Sequence, residues 1–489
     1  MTDAAASSSS APRDHRWAAF AVCTAVAILT ILDLAKVNVT LAPIERTLGA
    51  STSDVQLIVA GYVLAFGLLL VPSGRLGDLR SRRALFLIGL AAFAVASLVC
   101  ALAPSAWALV AGRVLQGCAA GTLMPQVLGL VQQLFHGPER GKAFGIFGAS
   151  VGLGTAFGPT IGGLLIGALG EEAGWRWTFG MNIPLAVLLF AIAWRLLPRT
   201  QPRGDDPSLD LVGVGLLAAA VAALMLPFVM TGEAGESPAR WWLLAAAAAL
   251  VAAFVLWERR YLASGRSPLI DFALFRTPSY RYGVLVTTLM FMGMPTGFLV
   301  ITMLLQEGLH EAPAVVGLVT VPYALASAAV AGFTGKHTYR FAPQFVAWGM
   351  ALMLAGFVGV ALLVPRVDAA SGPLAIAGAL LVAGVGAGLV MGANQMRMLS
   401  RVPVTEAGVA GSFAQVGQRV GNAVGVSVGT SAFFGALAAG GGSGDAAYRS
   451  GAEAGLLVVV TMLGLALAVA IVDLIASRRE PAEPPAARA

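Results

Sequence analysis

Long apolar segments recur along this 489-residue chain and decide what it can fold into. A helix that crosses a bilayer needs about 20 apolar residues at ~1.5 Å rise per residue. Fourteen segments meet this length, at about 17–41, 55–73, 84–103, 106–134, 143–169, 178–197, 209–230, 241–262, 282–305, 313–335, 344–364, 372–395, 407–438 and 451–476. The sequence therefore predicts an all-α polytopic membrane protein with 14 transmembrane helices.

Composition agrees with a membrane location and excludes several functional classes. Only 11% of the residues are charged, against ~25% in soluble proteins. The net charge of +6 does not indicate nucleic-acid binding, because the basic residues lie in short loops beside the apolar segments. The three cysteines lie inside apolar runs and the four histidines lie outside them. We therefore expect no disulfide framework, metal site or cofactor, and no catalytic constellation indicates an enzyme.

The basic residues divide unequally between the two sides of the predicted bundle. With fourteen spans, 23 of them fall on the side of the termini, 5 on the other side and 3 within spans. Cytoplasmic loops carry the excess of Lys and Arg in membrane proteins. This asymmetry predicts that both termini are cytoplasmic. A wrong number of spans would have distributed the basic residues over both sides.

The first apolar segment contains two charges, Asp33 and Lys36. A charge at the bilayer centre costs at least ~2.5–3.5 kcal/mol, so it is rarely present without a role. The two residues share a helix face, which indicates a polar interior. Asp33 lies ~24 Å from the cytoplasmic edge and Arg113 ~10 Å from the outer edge, so both lie in the outer half of a ~30 Å core. A purely structural ion pair is the alternative.

Several sequence stretches together resemble one transporter family. Residues 32–43 read LDLAKVNVTLAP, 74–83 read GRLGDLRSRR, 109–121 read LVAGRVLQGCAAG, 154–163 read GTAFGPTIGG, 174–177 read GWRW and 268–272 read PLIDF. These stretches resemble the major facilitator superfamily, specifically its fourteen-helix drug:proton antiporter branch, over nearly the whole chain. The chain departs from the family pattern at Leu79 and Ser81 in the loop and at Ala35 and Lys36 in the first helix.

The resemblance implies a fold and a domain organisation. Two six-helix halves, residues 17–198 and 264–476, would flank a linker and two inserted helices at residues 199–263. Residues 1–16 would form a disordered cytoplasmic terminus and residues 477–489 a cytoplasmic tail. The linker after residue 199 contains Pro, Gly and acidic residues and is predicted to be flexible. Residues 261–281 alternate apolar and basic side chains, which is consistent with an amphipathic helix on the inner leaflet or an ordinary loop.

The resemblance also implies a function: proton-coupled export of small hydrophobic compounds, such as drugs or antibiotics, by alternating access. No phosphate-binding G-x-x-x-x-G-K-[ST] motif is present, so an ion gradient must supply the energy. The expected partners are a small-molecule substrate, protons and the lipid bilayer, and the expected working unit is a monomer in a bacterial cytoplasmic membrane. The alternatives are a proton-coupled importer and a non-transporting sensor or scaffold.

Three groups of residues carry the expected mechanism, and each has a simpler alternative. The proton-coupling group is Asp33, Lys36 and Arg113. The cytoplasmic gate is Gly74, Gly77, Asp78, Arg82 and Arg83, in which Asp78 is expected to meet a helix N-terminus or the arginines. The antiporter-motif helix contributes Gly154, Gly158, Pro159, Gly162 and Gly163, expected on one small-residue face. The alternatives are a structural pair, charges that only set topology, and a plain packing seam.

The expected substrate cavity draws on both halves. A polar stripe in the thirteenth segment follows helical spacing and is interpreted as cavity lining, with structural hydrogen bonding as the alternative. The predicted cavity residues are Asn38, Tyr62, Gln116, Asn394, Gln415, Gln418, Arg419 and Asn422.

Overall fold

Fifteen α-helices and a few short 3₁₀ or π turns form the described part of the chain, and no strand occurs there. The computed structural model describes residues 13–200, 210–229, 241–266, 268–269, 272–335, 337–366, 371–442 and 444–478. The helices are α1 (Arg13–Leu48), α2 (Thr52–Leu79), α3 (Arg82–Ala101), α4 (Ala106–Leu134), α5 (Gly137–Leu169), α6 (Glu171–Gly180), α7 (Asn182–Leu196), α8 (Leu211–Val229), α9 (Trp242–Ala263), α10 (Pro278–Met303), α11 (Pro313–Thr334), α12 (Thr338–Leu363), α13 (Gly372–Leu399), α14 (Ala407–Ala439) and α15 (Asp445–Ser477).

The helices match the fourteen predicted apolar segments. Within the described ranges, thirteen helical spans are long and apolar enough to cross a membrane, and α6 and α7 together make one of them. A shorter apolar helix, Leu211–Pro227, is the seventh predicted segment. The all-α polytopic fold is thus confirmed.

Helix α1 begins earlier than predicted. Residues 13–16 are helical, so assigning them to a disordered terminus was wrong. The reason is contact with α5: Arg16 lies 3.7 Å from Glu139, and the Lys142 ammonium lies 4.7 Å from the ring centre of Trp17. The rest of the predicted terminus, most of the linker after residue 199 and the tail from residue 479 lie outside the described residues.

Two apolar cores hold the bundle together. One is built from helices α10–α15, and the other from α1–α4 and α7 with side chains of α8, α9 and α14. Helix α8 packs beside α2: a Cβ atom at Gly67 would lie 3.5 Å from the Met225 sulfur. The inserted pair α8–α9 is therefore packed together with helices α1–α4 and α7.

The connection between α9 and α10 is anchored by two buried side chains, Leu269 and Leu274. It contains a short 3₁₀ helix, Phe272–Arg276, instead of an amphipathic α-helix on the membrane surface. Leu274 is buried in a cluster with Leu128 of α4 and Ala414 of α14, and Phe275 packs edge-on against Phe413 at 5.2 Å. Leu274 and Phe275 therefore pack between α4 and α14, whereas Phe272 packs against Phe254 of α9.

The bundle has two sides, which we name by the chain ends. The terminal side is where α1 begins and α15 ends, and the far side is the opposite one. The ends of α2, α4 and α13 and the starts of α3, α5 and α14 meet on the terminal side, as the contacts described next require.

Candidate functional site

A fully buried cluster of charges surrounds Asp33. Arg113 Nη1 donates to Asp33 Oδ2 at 2.8 Å, and Lys36 Nζ lies 3.4 Å from Oδ1. The Asn182 amide also donates to Oδ1 at 2.6 Å. Asp33, Lys36, Arg113 and Asn182 are all 0% exposed. The structure thus brings together the three residues predicted for proton coupling and adds an asparagine.

Further hydrogen bonds fix the cations of this cluster. Lys36 Nζ donates to Asn182 Oδ1 at 2.6 Å, and Arg113 Nη1 donates to Gln116 Oε1 at 2.7 Å. Gln116 in turn donates to Ser97 Oγ at 2.9 Å. Buried charges are tolerated only when they are paired and hydrogen-bonded in this way. The cluster holds two basic side chains against one acid, so Asp33 is fixed by its partners.

Asn182 is the residue that the sequence analysis missed. It is the first residue of α7, directly after the break between α6 and α7, and it lies in a stretch that includes Gly180 and Pro184. Proline is tolerated in the first turn of a helix, where its missing N–H has no partner to lose. The available signal was a polar amide within an apolar segment beside two helix-breaking residues.

On the terminal side, Asp78 at the end of α2 binds the start of α14. Its carboxylate accepts the backbone N–H groups of Gly408 at 3.2 Å and Val409 at 3.0 Å, in the first turn of α14. Arg82 binds the same carboxylate at 2.7 Å and also donates to the Val404 carbonyl. Asp78 and Arg82 are each 1% exposed. An anion at a helix N-terminus is stabilised by the unpaired N–H groups and the helix dipole.

Close backbone approach supports this junction. A Cβ atom at Gly74 would lie 2.8 Å from the Gly408 carbonyl, so α2 and α14 touch there. Gly77 makes room for the side-chain amide of Gln126. Gln132 at the end of α4 donates to the carbonyls of Leu399 and Val402, each at 3.1 Å. The terminal side is closed in this structure.

Arg83 differs from the other predicted gate residues in its position. It donates to the Trp194 carbonyl at 2.6 Å and lies 5.1 Å from that residue's ring centre. Both contacts join α3 to α7, so this arginine does not take part in the junction with α14. Arg82, which precedes it, turns towards the junction because consecutive helical residues point about 100° apart.

The glycines of α5 pack against α1 beside the charge cluster. A Cβ atom at Gly158 would lie 3.1 Å from the backbone nitrogen of Lys36, and one at Gly162 would lie 2.6 Å from a Val39 methyl group. Gly154 is in looser contact with the Ile28 carbonyl at 3.5 Å. These three glycines let the backbones of α1 and α5 approach closely.

Two residues of the same motif behave differently. Gly163 has no atom within 4 Å of a Cβ position, so its predicted place on the packing face was wrong. One residue beyond Gly162, it is turned about 100° around the helix. Pro159 lies inside α5, and helical assignment continues through it from Gly137 to Leu169.

The polar stripe of α14 lies opposite α2. Gln418, Arg419 and Asn422 are partly exposed, and Gln415 is 9% exposed. The Arg419 guanidinium lies 4.3 Å from the ring centre of Phe66. Glycines on another face of α14 pack against α10, so the stripe is not part of that helix contact.

The other predicted cavity residues have different surroundings. Asn38 is exposed, whereas Tyr62 and Gln116 are 1% and 0% exposed. Tyr62 lies under the Arg113 guanidinium at 4.1 Å, and Gln116 binds that arginine. The Asn394 amide donates to Thr287 Oγ1 at 2.6 Å. Tyr62 and Gln116 therefore belong to the charge cluster, and Asn394 links α13 to α10.

An all-helical bundle of membrane-crossing helices with paired charges sealed in its interior defines a polytopic membrane protein with a buried polar site. The described residues contain no group of three or more His, Cys, Asp or Glu side chains that could hold a metal ion. The family model of the Major Facilitator Superfamily matches residues 23–426. The chain belongs to this superfamily, so it is a transporter, and it carries small molecules in a lipid bilayer.

Two curated relatives cover most of the chain. It is 33% identical to a probable actinorhodin transporter of Streptomyces coelicolor over 87% of this chain and 74% of the relative. It is also 33% identical to a puromycin resistance protein of Streptomyces alboniger over 96% of this chain and 94% of the relative. These relatives support a multi-pass bacterial membrane protein.

Solved structures show the same fold. The human organic anion transporter MFSD10 superposes with a TM-score of 0.65 at 15% identity, covering 94% of this chain and 100% of the other. The proton:xylose symporter XylE superposes with a TM-score of 0.62 at 14% identity, covering 93% and 96%. At such identities the likeness concerns the fold alone.

Proposed function

We propose that this protein exports small apolar compounds of the drug or antibiotic class from the cytoplasm in exchange for protons. The observation that carries the proposal is Asp33, an acid held by Lys36 and Arg113 at the interface with α5. The curated relatives, named as an actinorhodin transporter and a puromycin resistance protein, support the substrate class. The excess of basic residues on the terminal side supports a cytoplasmic location for both termini.

The coupling step follows from the charges. In the present arrangement the Asp33 carboxylate is the counter-ion of two cations, and the terminal side is closed by Asp78 and Arg82. A proton that reaches Asp33 from outside removes its negative charge and weakens both ion pairs. The cluster then releases α1, which permits the return to the inward-facing state. Loss of the proton to the cytoplasm restores the two ion pairs and completes the exchange. One copy of the protein carries out the whole cycle.

The gate and the cavity have matching roles in this cycle. Asp78, Arg82, Gly74 and Gly77 hold the cytoplasmic side shut while the outside is open. Arg83 supports α3 against α7 and is not assigned to the gate. The α14 stripe lines the substrate path, and the α5 glycines transmit movement between α1 and the gate.

The test is proton release in proteoliposomes. An efflux-deficient bacterium that expresses the protein first identifies a compound to which it confers resistance. Purified protein should then release protons when that compound is added, and Asp33→Asn should abolish this release while the variant stays folded. Glu453→Gln, which alters an exposed acid of α15, is the matched control and should behave as wild type.

Each other outcome overturns a specific part. Proton release retained by Asp33→Asn would reduce the cluster to a structural ion pair. Accumulation of the compound in energised cells would indicate an importer. The absence of any solute movement in proteoliposomes would favour a sensor or scaffold.

A further inference from the structure

The arginine of the α14 stripe has no protein counter-ion. Among the described residues Arg419 forms no ion pair, and its Nε atom, although buried, has no hydrogen-bond partner. The buried Oδ1 atom of Asn422, three residues along the same stripe, also lacks a partner. Buried polar atoms are nearly always paired, so a buried donor without a partner on this partly exposed side chain is unusual. The Arg419 donor suits an acceptor oxygen of a ligand, whereas the Asn422 oxygen needs a donor and takes no part in binding an anion.

Stacking leaves the edge of the guanidinium available. The Arg419 guanidinium lies over the face of Phe66 at 4.3 Å from the ring centre. A stacked guanidinium is held by its planar face, while its N–H donors point outwards in the plane. That arrangement suits a bidentate contact with a carboxylate, sulfonate or similar oxyanion.

The surrounding charges exclude a cationic partner. The charged side chains around α1, α4 and the α14 stripe are Asp33, Lys36, Arg113 and Arg419, and Asp33 is the one acid among these four. Another buried acid, Glu258 of α9, lies beside Gly213 at the start of α8. Asp33 is already bound to Lys36 and Arg113. The interior at this depth is thus positive, and it attracts anions and repels cations.

Arg419 is also connected to the coupling cluster. Tyr62 and Phe66, one turn apart on α2, have ring centres 6.1 Å apart. Arg113 lies over Tyr62 and Arg419 lies over Phe66. Because both rings belong to α2, a displacement of either cation acts on the same helix turn.

We propose that Arg419 recognises an anionic oxygen of the transported compound, so that the substrates are apolar acids. This proposal rests on the proposed function for the apolar, exported nature of the compound. The site itself is argued from the unpaired Arg419 and from the positive charge around it.

The test compares two dyes of the same aromatic body. Purified full-length protein is titrated with anilinonaphthalenesulfonate, which carries a sulfonate, and with the neutral N-phenylnaphthylamine. Wild type should bind the sulfonate more tightly. Arg419→Gln should weaken sulfonate binding about tenfold or more while changing binding of the neutral dye less than about twofold. Arg419→Lys should restore part of the loss, and Arg259→Gln, at an exposed arginine of α9, should change neither.

The remaining outcomes contradict the proposal. Equal loss of both dyes in Arg419→Gln would show that the arginine only supports packing. Tighter binding of the neutral dye, or of cationic ethidium, by wild type would exclude an anion site, as would a lack of saturable sulfonate binding. Because the readout is binding, a protein that binds the sulfonate but releases no protons would overturn the export function and leave this assignment standing.

Discussion

At the scale of single residues, Asn182 is the group that connects the two members of the Asp33–Lys36 pair. Its amide nitrogen donates to the acid and its amide oxygen accepts from the ammonium, both at 2.6 Å. The similar depth of Asp33 and Arg113 could be anticipated because helical rise converts residue number into depth, but their contact could not. The position of Asn182 could not, because it depends on the break between α6 and α7.

We expect Asn182→Ala to destabilise the folded protein by about 1–3 kcal/mol, since it leaves two buried charged groups each without one hydrogen bond. Thermal unfolding of purified protein in detergent measures the loss. Asn38→Ala removes the same amide from an exposed position of α1 and should leave the unfolding temperature unchanged. Equal stability of the two variants would show that Asn182 is not needed to hold the cluster.

At the scale of elements, α5 contacts α11 and α13 near the terminal side and α1 beside the charge cluster. Near the terminal side a Cβ atom at Gly145 would lie 2.8 Å from the Ala331 carbonyl of α11, and one at Gly148 would lie 3.0 Å from the Met391 side chain of α13. Further along, Gly158 packs beside Lys36 of α1. The sequence predicted a glycine face but not its two partners, because spacing defines a face and only tertiary packing decides what it meets.

Neighbouring glycines of α5 provide a matched test of this packing. Gly162→Val should reduce export strongly and destabilise the fold by about 1–3 kcal/mol, because its Cβ position already lies 2.6 Å from Val39 and 3.1 Å from the Lys36 carbonyl. Gly163→Val, with no atom within 4 Å, has the same helix propensity and should keep wild-type export. The measurements are drug susceptibility at matched expression and thermal unfolding. Similar defects in both variants would attribute the effect to the helix itself.

At the scale of the whole molecule, the structure represents the state of the transport cycle in which the terminal side is closed. Asp78 binds the first turn of α14, Gln132 binds the loop after α13, and Leu274 packs between α4 and α14. The sequence identified Asp78 and its arginines as gate candidates. It could not indicate which state the molecule adopts, because both states use the same helices and differ only in how those helices pack.

We expect Asp78→Asn to shift this balance towards an open terminal side. The variant loses the charge that pairs with Arg82 and caps α14, and charge-assisted bonds are worth about 1.5–3 kcal/mol each, enough for a tenfold change in populations.

Ser412 reports on the junction because it is 0% exposed and lies against Gly74. In a background lacking Cys23, Cys100 and Cys118, a cysteine introduced as Ser412→Cys should react slowly with a membrane-impermeant maleimide applied from the terminal side. Adding Asp78→Asn should raise the rate about tenfold. Tyr339→Cys, 43% exposed near the start of α12, controls for access and should react alike in both proteins. If the rate at position 412 is unchanged while expression and folding are normal, Asp78 does not hold the terminal side shut.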